Sequence, residues 1–130
     1  MRLILTSALC LSFALPAAAK PPLSEVREID DGLMAIAIAD DIRKRCDEIN
    51  PRMVRAYRQI KALESRAKAL GYSEEEIDRY VSSDAEKKRM RKKAESWLAT
   101  QGVNAKDKGA LCQFGRDDIA RGGPIGFFLR

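Results

Sequence analysis

Histidine is absent from all 130 residues, which removes imidazole acid–base relays, imidazole metal ligands and the side chain that most readily changes charge near neutral pH. Cysteine is scarce: Cys10, Cys46 and Cys112 are the three present, and none forms the closely spaced C-x-x-C of a redox pair. Aromatic residues make up 6% of the chain and are not interleaved with the cations as base-stacking platforms would be, which argues against a nucleic-acid partner. No window alternates apolar and polar residues as a half-buried strand does. Ser73, Ser82 and Ser83 have no histidine to activate them as nucleophiles. No catalytic, cofactor-binding or metal-ligating residue is therefore nominated.

What is present begins with an address. Arg2 precedes a mostly apolar run from Leu3 to Leu15, and Pro16-Ala17-Ala18-Ala19 supplies the small residues that a signal peptidase reads. The run is well short of the roughly 20 residues that span a bilayer as a helix. A signal peptide over residues 1–19 is expected, with Lys20 the first residue after cleavage and the periplasm as destination. Cys10 would leave with it, and Cys46 and Cys112, an even count in an oxidising compartment, read as one disulfide. Their separation of 66 positions would make that bond worth roughly 4 kcal/mol in the chain-entropy model.

Loss of Arg2 would lower Lys+Arg from 24 to 23 against 19 acids, a net charge of +4. The charge is uneven: residues 20–50 carry 5 basic and 8 acidic side chains, whereas 51–130 carry 18 and 11. Such asymmetry suggests a basic surface, or an acidic first segment packed beside basic later ones.

Residues 20–28, with Pro21-Pro22 and little periodicity, read as a mobile leader. A helical domain over 29–130 follows. Every residue from Leu33 to Ala39 is apolar, as expected of a central core helix, with Arg43, Lys44 and Arg45 emerging near its end. Asn50-Pro51 suits a helix start, asparagine as cap and proline in the first position. Met53, Tyr57, Ile60, Leu63, Ala67 and Leu70 then recur as a core stripe up to Gly71. Ser73 with Glu76 forms the pattern of a capping box. Ser82-Ser83-Asp84 separates the short helix that follows from one running over about 85–101, whose thin apolar side is Met90, Ala94, Trp97 and Leu98. A last helix around 110–121 carries Leu111, Cys112, Phe114 and Ile119, and the apolar tail from Ile125 to Leu129 is expected to fold back on the core. The architecture expected is all-α, a single irregular bundle of four to five helices closed by one disulfide.

The strings from Glu28 to Met34 and from Gly71 to Val81, Ile119-Ala120-Arg121 with the terminal Ile125-Gly126 to Leu129-Arg130, and the placement of Cys46 and Cys112 resemble a family of small exported Gram-negative bacterial proteins classed as a domain of unknown function. The resemblance spans most of the chain after the signal. It implies a periplasmic helical domain and carries over no catalytic residue, because its motifs are caps, turns and core faces.

The densest charge feature is Lys87 to Arg89 and Arg91 to Lys93, six cations in seven residues. Arg52, Arg55, Arg58, Lys61, Arg66 and Lys68 add to it. Arg55, Arg58, Lys88, Arg91 and Lys92 are the candidate contacts for an anionic envelope component or periplasmic protein; the plain alternative is a solvated helix face. Asp30-Asp31, Asp40-Asp41 and Asp117-Asp118 point about 100° apart on a helix, so neither member of a pair is expected to share an ion with the other. Asp40, after a wholly apolar turn, is the one expected to be partly buried, against an arginine of 52–68. The leading functional reading is a non-enzymatic interaction or envelope-accessory module. The alternative is a small-ligand-binding or enzymatic protein with a pocket between helices, lined by Asp40, Tyr57 and Arg45.

Overall fold

The computed structural model describes residues 19–130, so the expected signal segment up to Ala18, with Cys10, lies outside the described residues. Five helices follow in order: α1 (Arg27–Arg45), α2 (Met53–Ala69), α3 (Glu74–Ser82), α4 (Asp84–Thr100) and α5 (Lys108–Ala120). Short 3-10 turns at Leu23–Glu25 and Gly126–Phe128 flank them. The all-α bundle is as expected, and the Cys46–Cys112 disulfide joins the end of α1 to α5. One isolated antiparallel bridge, Pro51 with Leu129, is the nearest approach to a strand among the described residues.

α1 is the central helix. It packs on α2, α4, α5 and both 3-10 turns, burying Ile29, Met34, Ile38, Ala39 and Ile42. The larger core joins Ile38, Ile42, Ile49, Leu98, Leu111, Phe114, Ile125 and Leu129 around the disulfide. A smaller cluster, Leu23, Ile29, Leu63, Ala67 and Tyr72, sits where α2 crosses α1. That crossing is close because position 32 is glycine: a Cβ there would lie 2.9 Å from Leu63 Cδ2. Trp97 is half-buried, edge-on to Phe114 with ring centroids 6.0 Å apart.

Local signals are realised where a few neighbouring atoms decide them. Ser73 Oγ accepts from the Glu76 N–H at 3.1 Å and Glu76 accepts from the Ser73 N–H at 2.7 Å, a complete capping box. Ser83 caps α4 and Asp107 caps α5. Gly71, at φ 93°, takes the left-handed conformation that ends α2.

Three expectations are corrected. Asn50 does not cap α2, whose N-cap is Arg52 without a side-chain bond; its backbone instead exchanges two 2.8 Å hydrogen bonds with Arg130, while Arg52 N–H donates to Phe128 O at 2.7 Å. The returning tail competes for the groups that a cap would have used. Residues 20–28 are laid against the fold rather than free of it: Leu23 is buried, Tyr72 donates its hydroxyl to Pro21 O at 2.5 Å, and α1 already begins at Arg27. The stripe of α2 is the third. Only Leu63 and Ala67 are buried, while Met53 and Tyr57 are each 61% exposed and Ile60 and Leu70 are also open. The N-terminal half of α2 is held by the 3-10 turn of the tail, so among the described residues no helix covers its apolar side.

Candidate functional site

α2 and α4 both pack on α1 but diverge across it, and the space between them is a groove of about 1000 Å³. Its floor is the α1 surface around Leu33, Ile36 and Ala37; Met53, Ala56 and Ile60 of α2 form one wall and Met90 and Ala94 of α4 the other. Tyr80 and Val81 of α3 close one end. No serine, threonine, cysteine or histidine lines it.

The charges around the groove fall into a spent set and a free set. Asp30, buried at 1% exposure, accepts from Tyr80 Oη at 2.5 Å, from Arg89 Nη2 at 2.5 Å and from Lys93 Nζ at 2.5 Å. Burial pushes its carboxyl up, but the hydrogen bonds from Arg89, Lys93 and Tyr80 outweigh this and hold it below the usual carboxylate range. Burial beside the same carboxylate raises the Tyr80 hydroxyl, so it stays protonated as a donor. Lys93 Nζ also reaches Asp31 Oδ1 at 2.5 Å. Asp30 and Asp31 thus share one ammonium, because a lysine on a flexible stem arrives from another helix and bridges the 100° between them.

The cation run of α4 is therefore divided. Arg89 and Lys93 turn inward to Asp30, whereas Lys87, Lys88, Arg91 and Lys92 have no hydrogen-bonded or ionic partner among the described residues. Lys87 and Arg91 line the groove. Of the other candidate contacts, Arg55 stacks over the Phe127 ring at 4.7 Å and donates to Phe127 O at 3.1 Å, and Arg58 lies outside the groove lining. The five candidates do not form one cluster, since α2 and α4 stand on different sides of the groove.

The pocket alternative fares differently. Asp40 is only half-buried and pairs with Arg43 and Lys44 of its own helix, at 2.7 and 2.6 Å, not with an arginine of α2. Four residues along a helix suffice for that pairing, so no tertiary partner is needed. Arg45 is occupied by Asp41 and by Ala105 O at 2.6 Å, and Tyr57 does not line the groove. Asp40 and Arg45 both line the groove, but each is tied to near neighbours and Tyr57 lies outside it, so the three do not converge. Ser65 and Lys68 have Ser-x-x-Lys spacing, yet Lys68 is bonded to Glu74 and Glu64, which raises its ammonium above its ordinary value and keeps it charged. Among the described residues, no group of histidine, cysteine, aspartate or glutamate side chains could hold a metal ion.

A second buried acid, Asp118, escapes sequence reasoning altogether. It is fully buried; Oδ2 accepts the Ile125 and Gly126 N–H groups at 2.8 and 2.7 Å, and Oδ1 takes Arg121 Nε at 2.8 Å. Gly126 lies so close that a Cβ would come within 2.4 Å of the Asp118 backbone. The Gly122-Gly123 run before Pro124 is the only signal of this wrap.

A protein-family model described as a family of unknown function (DUF5333) matches residues 21–130. The chain belongs to this family. The DUF5333 match begins at Pro21 and runs through the returning tail, so groove, disulfide and Asp118 all fall inside the shared domain. No curated protein matches this DUF5333 chain, and no solved structure does.

Proposed function

We propose that this protein is exported, loses residues 1–19, and acts in the periplasm as a non-enzymatic module that recognises an anionic envelope partner. The single observation that carries the reading is the set Lys87, Lys88, Arg91 and Lys92, which has no internal partner among the described residues and of which Lys87 and Arg91 border an open apolar groove. Cations with no structural task raise association rates with anionic partners and bring a dependence on salt, because the Debye length falls from about 10 Å at 0.1 M to about 3 Å at 1 M. The apolar start of the chain and the disulfide support export. Among the described residues, no helix is long and apolar enough to cross a membrane.

Retention of residues 20–130 on immobilised polyglutamate should fall as salt rises, and the variant K88Q/R91Q/K92Q should elute well before the parent with an unchanged helical signal. Equal retention at low salt would reduce the row to a solvated face. Intact mass of protein from its native host should begin at Lys20.

A further inference from the structure

We infer that the groove between α1, α2 and α4 is the seat of an amphipathic helix from another protein, one whose apolar face is flanked by a row of carboxylates. This rests on the proposed anionic partner and names its form. The floor runs from Leu33 to Lys44 of α1, about 17 Å at 1.5 Å per residue, or three helical turns. A strip of that length takes the i, i+3, i+4, i+7 anchors of one helix face. Met53 and Ile60, two turns apart on the α2 wall, are exposed apolar side chains aimed at this space. Met90 and Ala94 face them from α4.

The charges choose among occupants. Lys87 and Arg91 stand one turn apart on the α4 rim, roughly 6 Å between their Cβ atoms. They are strung along the groove rather than gathered at a point, which suits carboxylates repeating at helical spacing on a long partner better than a single headgroup. Lys106, in the loop after α4 and beside Arg45 at the end of α1, adds a further unpaired cation to the lining. Glu95, the one unpaired acid of the lining, and the paired acids Asp40, Asp41 and Glu86 leave seven cations against four acids.

The test uses residues 20–130 and a fluorescein-labelled synthetic helix of about sixteen residues with a leucine face flanked by glutamates, followed by anisotropy at low salt. Binding is expected, weakened about tenfold by M53S/I60S and about tenfold by K87Q/R91Q, each equivalent to losing one good contact. The same peptide with serines for leucines should bind far more weakly. Circular dichroism and thermal melts verify that both variants remain folded, since all four side chains lie at the surface or rim. Unchanged affinity in M53S/I60S, with polyglutamate retention still lost in K88Q/R91Q/K92Q, would overturn the groove while leaving the anionic partner standing. Preference for anionic phospholipid vesicles over the peptide would also overturn it, as would self-association of the unliganded protein that M53S/I60S abolishes. Failure to bind either polyglutamate or peptide would remove both readings.

Discussion

The two flanks of α1 are built on different terms. Toward α5 and the tail the packing is closed: a disulfide between Cys46 and Cys112, Ile42 and Leu111 at 0% exposure, and Asp118 holding the turn at Ile125 and Gly126. Toward α2 and α4 the same helix meets partners that diverge, and the boundary is apolar surface left open beside unpaired cations. Fixed packing on one side holds α1 still, so the other side can keep a preformed surface without the stability that covering it would have added. Damage to the two flanks should therefore be read out in different assays.

The largest effect should come from the bond that defines the closed flank. C46S/C112S is expected to lose roughly 4 kcal/mol, moving the melting temperature down by roughly fifteen degrees or more, with helicity kept below the transition. Two reactive thiols in the native protein would remove the premise. Next, D118A leaves the buried Ile125 and Gly126 N–H groups without an acceptor and should cost about 3 kcal/mol by denaturant titration. Its hydrogen exchange should rise first at residues 125–130, and a loss spread evenly over the protein would contradict a local clasp.

The Asp30 network separates the flanks by pH. Because its folded carboxyl lies below the ordinary value of 3.8, its contribution is full above that value and is lost as acid protonates it, so stability should be flat through neutrality and fall below about pH 4. D30A should lower stability by about 2 kcal/mol at neutral pH, less than a sealed ion pair because Arg89 and Lys93 can turn to water, and should flatten the acid limb. Loss of Lys93, whose ammonium is raised by the bonds to Asp30 and Asp31 against the opposing effect of burial, works in the other direction: its share is present below the ordinary lysine value and vanishes as the pH rises through the raised one. The smallest effect belongs to the open flank, where M53S/I60S should stay within about 0.5 kcal/mol of the parent. A larger loss would mean that those side chains are covered in solution.

The Ser73 cap, the helix breaks and the core helix are legible in the sequence because each is decided by residues within a few positions, as in Ser73 with Glu76 or the apolar stretch from Leu33 to Ala39, whereas the Asn50 cap fails because the distant tail takes its backbone groups. The disulfide follows from counting. The groove is not legible: a helical period shows that Met53, Tyr57 and Ile60 share a face with Leu63 and Ala67, but whether another helix arrives there is a tertiary fact. Buried acids escape for the same reason. Asp30 and Asp118 look like solvated neighbours of Asp31 and Asp117, and what distinguishes them lies 50 to 63 residues away for the first and in backbone N–H groups for the second.

The placement of the cysteines also bears on oxidation in the cell. With all three cysteines present a chain has three possible intramolecular pairings, Cys10 with either partner or Cys46 with Cys112. Residues 20–130 have only one. Cleavage before Lys20 would thus remove every wrong connectivity together with the address, leaving a thiol oxidase a single product to make and an isomerase nothing to correct.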